Sequence, residues 1–170
     1  MKQEKPKIKV QLTAFDHLME ISGWLVLVFT WGFLYFNYEK LPTSIPVHFN
    51  FSGYADGFGS KWIIFLLPAI ATVIYIAITI INKYPHRFNY SILITRRNAK
   101  RHYTQATRRM RFLKFFTSVL LSYLTYRTIM IASGKFDNLG KWFAPTVISV
   151  LLIFFLFTLF EALLHTPSEN

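Results

Sequence analysis

Cysteine is absent from the 170 residues, which excludes disulfides, thiolate zinc sites and cysteine nucleophiles. Charge is scarce. Asp, Glu, Lys and Arg make up 16% of the chain, where a soluble globular protein carries about 25%. Acidic side chains are scarcer still, with none between Asp56 and Asp137. No Gly-rich phosphate loop, HExxH spacing or readable Ser/His/Asp arrangement occurs, so no catalytic residue is assigned from the sequence. Low hydrophobicity, the mark of a disordered chain, is also missing. Apolar residues are 53%, Phe alone occurs 18 times, and mean hydropathy is +0.34.

What the chain does have is long apolar runs. Crossing the hydrocarbon takes about 20 mostly apolar residues. Four segments meet or approach that length: Ile21–Tyr38, Trp62–Ile81, Phe112–Ala132 and Phe143–Leu164. Backbone groups in lipid must be satisfied internally, so each reads as a helix. The expected fold is all-α, a single polytopic membrane domain of four transmembrane helices. The lysines near the start resemble the basic region of a secretory signal. The first apolar run is too long for one, and no small-residue cleavage site follows it, so it reads as an uncleaved span.

Orientation follows from the basic residues in the short flanks. Lys2, Lys5, Lys7, Lys9 and nine Lys and Arg in residues 82–111 lie on one side of the spans; Lys40, Lys61, Lys135 and Lys141 lie on the other. Both termini and the central segment are therefore expected in the cytoplasm. Trp62 and Trp142 fall at the outer interface. The basic segment attracts anionic lipid, at about 1 kcal/mol per basic residue near the surface. An acidic protein or a phosphorylated ligand is the sharper alternative. Nucleic acid is not an expected partner, because no stacking aromatics are interleaved with the charge. Ala99, Tyr103, Ala106, Met110 and Leu113 recur at helical spacing, so the third helix is expected to begin several turns before its span.

The outer segment 39–61 is the most distinctive. Pro42 and Pro46 hold it extended. Val47, Phe49 and Phe51 alternate with His48 and Asn50, a strand-like period. Ser52-Gly53 and Asp56-Gly57 are turn dipeptides. An ordered lid on the outer end of the bundle is expected, with Phe49 or Phe51 buried.

This segment resembles a known family. The pattern Leu41-Pro42-x-x-Ile45-Pro46-x-His48-Phe49-Asn50, followed by Gly53, Asp56, Gly59, Ser60 and Lys61, is similar to the small membrane domain that opens SdpI-like bacterial proteins. A second stretch, from Asn98-Ala99 and Tyr103 through Arg108, Arg109 and Leu113-Lys114, resembles the segment after that family's second span. The resemblance implies a multi-span inner-membrane protein. In characterised members it implies immunity to a peptide toxin and, in some, peptide sensing with capture of a repressor. Those immunity proteins carry a further C-terminal membrane domain, for which four spans in 170 residues leave no room.

Candidate ligand-binding residues at the outer face are His48, Asn50, Asp56, Lys61, Tyr123 and Arg127. The expected ligand is a peptide toxin or a lipid-borne molecule. Arg127 lies about five residues inside the third span, a depth of roughly 7 Å. It either snorkels outward, meets a carboxylate or carbonyl of the outer segments such as Asp56, or faces the ligand. Ser118, Ser122 and Thr125 suit helix–helix contact. At the opposite end, Asp16, His17 and Glu20 precede the first span, and Glu161 and His165 end the fourth. Salt bridges from these residues to Arg111 or Lys114 are expected rather than a metal site. No cofactor and no metal are assigned. A small membrane enzyme or transporter with a polar cavity beneath the lid, or a structural subunit of a larger assembly, stands as the alternative function.

Overall fold

A computed structural model describes residues 4–90 and 92–164, with side chains to residue 160. The chain is mostly helical. Four helices, α1 (Ala14–Tyr38), α2 (Leu66–Ile81), α3 (Ala99–Ala132) and α4 (Phe143–Leu164), carry stretches long and apolar enough to cross a membrane. That is the pattern of a multi-pass membrane protein. Between α1 and α2 lies an antiparallel hairpin of β1 (Ser44–Phe49) and β2 (Ala55–Ser60). A 3-10 turn, Lys61–Phe65, leads from it into α2 and completes the second apolar stretch.

The first helix begins seven residues before its apolar run. Thr13 and Asp16 form a capping box: the Thr13 amide donates to Asp16 Oδ2 at 2.8 Å, and the Asp16 amide donates to Thr13 Oγ1 at 3.4 Å. Satisfying these donors fixes the helix start regardless of hydropathy. The 34 residues of α3 extend about 51 Å at 1.5 Å per residue, well beyond a hydrocarbon core of about 30 Å. Its excess projects at the end that carries the basic segment. At the other end, Gly134 has φ +70°, and the amides of Gly134 and Lys135 donate to the carbonyls of Ile131 and Met130. Glycine adopts that left-handed conformation without a Cβ penalty, and the paired bonds terminate the helix.

Helices α1, α2 and α3 form the packed core. Leu27, Ala71 and Tyr75 close the middle of the bundle. The hydroxyls of Thr30 and Ser122 meet at 2.6 Å between α1 and α3, and Trp31 Nε1 donates to Thr72 Oγ1 between α1 and α2 at 3.0 Å. Ser118 and Thr125 are buried too, but their hydroxyls bond carbonyls of their own helix. The fourth helix is peripheral. It leans on α3 through two ring stacks, Phe154 on Phe112 and Phe143 on Tyr123, and no described residue of its apolar stretch is fully buried.

The two ends of the bundle differ. At the hairpin end, Leu34, Leu41, Ile45, Ile64, Ile129 and Met130 form a cluster that anchors the lid. At the basic end, residues 5–10, 85–90 and 92–94 lie around the base of α3. There Ile8 and Val10 pack on Ile94, Ala99 and Tyr103, and the Tyr103 hydroxyl donates to the Pro6 carbonyl at 3.0 Å. Burial pushes the Tyr90 phenol in this collar above its ordinary range.

The lid is ordered, but its expected aromatic anchors are not the ones used. Phe51 is 87% exposed and Phe49 only half-buried, whereas Ile45 is 1% exposed and Pro46 is also buried. The reason is register. Irregularities on both sides of His48 break the simple alternation, so the inward-facing residues fall at the start of β1.

Candidate functional site

The expected outer site is a cap built from the hairpin and the 133–142 connection. Tyr54 bridges Asn138, and the Leu139 amide donates to the Gly53 carbonyl at 2.9 Å. Leu139 is thereby buried. Gly53 has φ +82°, a left-handed conformation that L side chains rarely adopt, so the sharp tip of the hairpin depends on glycine.

Each of the six candidate residues has an internal partner. Asn50 Oδ1 accepts from the Tyr54 amide at 3.1 Å, closing the turn. His48 Nδ1 and Asp56 Oδ1 lie 2.5 Å apart across the two strands, largely open to solvent. The Lys61 ammonium stands 4.6 Å above the Tyr38 ring. The Tyr123 hydroxyl donates to the Leu139 carbonyl at 2.7 Å. Arg127 donates to the Asn138 carbonyl, and its guanidinium covers the Phe136 ring at 3.9 Å. Arg127 therefore meets a loop carbonyl, as one of its expected options allowed, but not Asp56, which is held by His48. The loop carbonyl comes from the second connection rather than from the lid. These six residues build and brace the cap.

What the cap leaves outward is aromatic. Phe51, Tyr54, Phe58 and Trp62 are all exposed. Alternation pointed the other way for Phe51; the bulged register turns it out.

A second concentration of polar groups sits at the basic end. The buried line of α3 starts as expected with Ala99 and Tyr103, then continues through Thr107, Arg111, Lys114 and Ser118 rather than Ala106, Met110 and Leu113. Its partners come from α1. Asp16 Oδ1 accepts from Arg108 Nε at 3.2 Å and from Arg111 Nη1 at 3.3 Å. Glu20 takes Arg111 Nε at 3.2 Å through one oxygen and Lys114 Nζ at 2.6 Å through the other. Lys114 also donates to Thr79 Oγ1 of α2 at 2.6 Å and lies 4.2 Å from the Tyr75 ring centre. Asp16 and Lys114 are each 1% exposed. The expected bridging of Asp16 and Glu20 to Arg111 and Lys114 is thus present. His17 is exposed and stands apart from it. His165 and the side chain of Glu161 lie outside the described residues. Among the described residues, no group of three potential metal ligands comes together.

Lys114 lies 18 residues before the end of α3, about 27 Å, so the ionic layer and the cap stand about one hydrocarbon thickness apart. Sequence reading missed Thr79 and Tyr75 as members of the layer. Their positions in an uncharged span gave no signal beyond a hydroxyl in an apolar helix.

Residues 25–72 match a family described as a domain of unknown function, DUF1648. The match runs from the middle of α1 through the whole hairpin into α2, so it contains the lid but stops before the ionic layer's α3 residues. An uncharacterized protein of Archaeoglobus fulgidus is 34% identical over 73 residues, which are 38% of this chain and 40% of that protein. The alignment therefore spans well under half of the relative. No solved structure matches the chain.

Proposed function

We propose that the chain is a non-enzymatic membrane protein of the immunity or peptide-sensing type, which recognises a membrane-active peptide or lipid-borne ligand at its outer face. The observation that carries this reading is the cap. It is a hairpin locked to the second outer loop by backbone bonds, yet it turns Phe51, Tyr54, Phe58 and Trp62 outward. Rigid aromatic rings on a preorganised frame are a low-entropy way to bind an apolar partner. The resemblance of the lid to the opening domain of SdpI-like proteins supports the same reading. The bacterial inner membrane, with both termini in the cytoplasm, belongs to it as well, on the strength of the basic asymmetry.

Orientation is checked by single-cysteine labelling, which is clean because the chain has no cysteine. A Cys at exposed Ser52 should react with an impermeant reagent added to intact cells, and a Cys at exposed Lys100 should not. The opposite pattern would invert the topology.

Recognition is checked by survival. Cells making the wild-type chain should withstand a matched membrane-active peptide. The Phe51→Ala/Phe58→Ala variant should shift the lethal dose roughly tenfold, as loss of a moderate binding hot spot would. Both rings are exposed, so folding should change by no more than about 0.5 kcal/mol per site. Equal survival at matched membrane levels would remove the cap from the mechanism. No protection by the wild type across a panel of such peptides would favour the enzyme or transporter reading.

A further inference from the structure

The hairpin of β1 and β2 is a sheet of two strands, so each strand has an edge that no further strand covers. In an antiparallel ladder, bonded and unbonded pairs alternate, and the backbone groups of the unbonded pairs point away from the partner strand. The phase is set where the Lys61 amide donates to the Thr43 carbonyl at 3.0 Å. Two residues on, Ile45 faces Gly59 as the next bonded pair. Ser44 with Ser60, and Pro46 with Phe58, are then the unbonded pairs on either side of it. Phe58 therefore turns its amide and carbonyl to the free edge of β2, and Ser60 turns its amide there.

The two edges differ. On β1 the corresponding position is Pro46, which has no N–H, and β1 lies against α3. Edge strands are commonly blunted by proline, lysine or a bulge. Residues 57–60 of β2 contain no such feature, because the register irregularities skip Val47 on β1 and Asp56 on β2. Among the described residues, no hydrogen bond outside the ladder engages the backbone of Phe58 or the Ser60 amide. Both side chains are exposed. Buried Ile45 holds the hairpin on the bundle, so this edge is presented on a fixed frame.

The geometry points to strand addition: an extended peptide segment pairs with the free edge of β2 through the Phe58 amide and carbonyl and the Ser60 amide, two positions about 7 Å apart. The side chain that the peptide sets beside Phe58 shares the open face of the sheet, where an aromatic or β-branched residue packs best. An acyl chain offers neither donor nor acceptor, and a lipid headgroup offers no such pair at strand spacing. The inference rests on the recognition proposed for the cap and narrows it, from a peptide or lipid-borne ligand to a peptide bound as a strand.

Amide exchange of the full chain in maltoside micelles, with no peptide added, tests the edge by itself. The Phe58 amide should exchange roughly tenfold faster than the Gly59 amide, which donates within the ladder. Equal protection of the two would show that the edge is already covered, by a second copy if protection grows with protein concentration, and would overturn the proposal. The pairing is tested with one probe, the membrane-active peptide that wild-type cells best withstand in the survival panel. Its binding to the chain in micelles, read by fluorescence, should weaken about fivefold more for Phe58→Pro than for Phe58→Ala, on the scale of one net hydrogen bond. Both variants lose the ring, and only proline also loses the edge amide. Methylating the backbone amides of the probe one at a time should weaken binding at alternate positions and spare their neighbours. That scan uses the wild-type chain, so it decides the matter even if Phe58→Pro fails to fold. A methylation profile without a period of two, or equal binding by the folded proline and alanine variants, would overturn strand addition and leave recognition at the cap standing. A wild type that protects against no peptide removes the recognition reading, and this inference with it.

Discussion

Glu20→Leu is expected to destabilise the folded chain by about 3–5 kcal/mol, the cost of leaving a buried charge without its partner. Glu20 is the carboxylate that meets Lys114, at 2.6 Å, and Lys114 is 1% exposed. Without it the ammonium keeps only the Thr79 hydroxyl and the face of Tyr75. Neither supplies a countercharge. Arg111 loses one of its two carboxylates in the same substitution but retains Asp16. The double variant Glu20→Leu/Lys114→Met should recover most of the loss, because an apolar pair of similar volume replaces the ion pair without stranding a charge. Reversible unfolding in micelles, read as a double-mutant cycle, gives the coupling directly. A single-variant loss below about 0.5 kcal/mol, typical of an exposed surface position, would show that Lys114 is not buried as described.

Gly23→Ala should be nearly as damaging, although it adds one methyl group. The new Cβ would overlap the Tyr75 ring, lying within 2.7 Å of Cζ. Tyr75 cannot step aside easily. It is fully buried, its hydroxyl donates to the Glu20 carbonyl at 2.7 Å, and the Trp24 ring packs edge-on against it at 5.0 Å. Overpacking of this kind costs about 1–3 kcal/mol and more when the neighbour is pinned. Tyr75→Leu in the same chain should relieve the clash, so the double variant should be more stable than Gly23→Ala alone. If Gly23→Ala unfolds at the wild-type midpoint, the close approach of α1 and α2 is not a constraint. By contrast Gly32, where an added Cβ meets nothing within 4 Å, should accept alanine with little change.

Both predictions fall on contacts that no apolar run reveals. Glu20 and Lys114 are 94 residues apart, and Gly23 and Tyr75 lie on different spans. The sequence did mark the ends of these contacts. A carboxylate and an ammonium at the edges of apolar segments must pair or face water, so Glu20 and Lys114 were legible as partners by depth alone. Gly23 carried no comparable signal, since a glycine in a transmembrane helix can be a close-approach point or an ordinary small residue.

The cap shows the same division. Two prolines, an alternating run and two turn dipeptides were enough to forecast an ordered lid with a strand-like run. They were not enough to identify its anchors. Pattern reading put Phe49 or Phe51 inward, but the bulges around His48 hand that role to Ile45 and leave Phe51 in solvent. Arg127 likewise announced a need for a partner. Its actual carbonyl, from Asn138, belongs to the short loop whose contact with the hairpin tip was not visible before the fold was assembled.

By itself the sequence determined the class of the molecule: four apolar helices, a strongly basic side and one structured loop. Those follow from local composition, because a bilayer admits only segments that satisfy their own backbone and exclude charge. Tertiary structure alone decided that three helices form the core while the fourth stays at the edge, leaving a cleft. It also decided that the inward line of α3 turns polar at Thr107, Arg111 and Lys114. The physical reason is that a helix face is buried by what stands opposite it. On α3 the facing groups are Asp16 and Glu20, so charge lies inside and Ala106, Met110 and Leu113 fall outside the buried line.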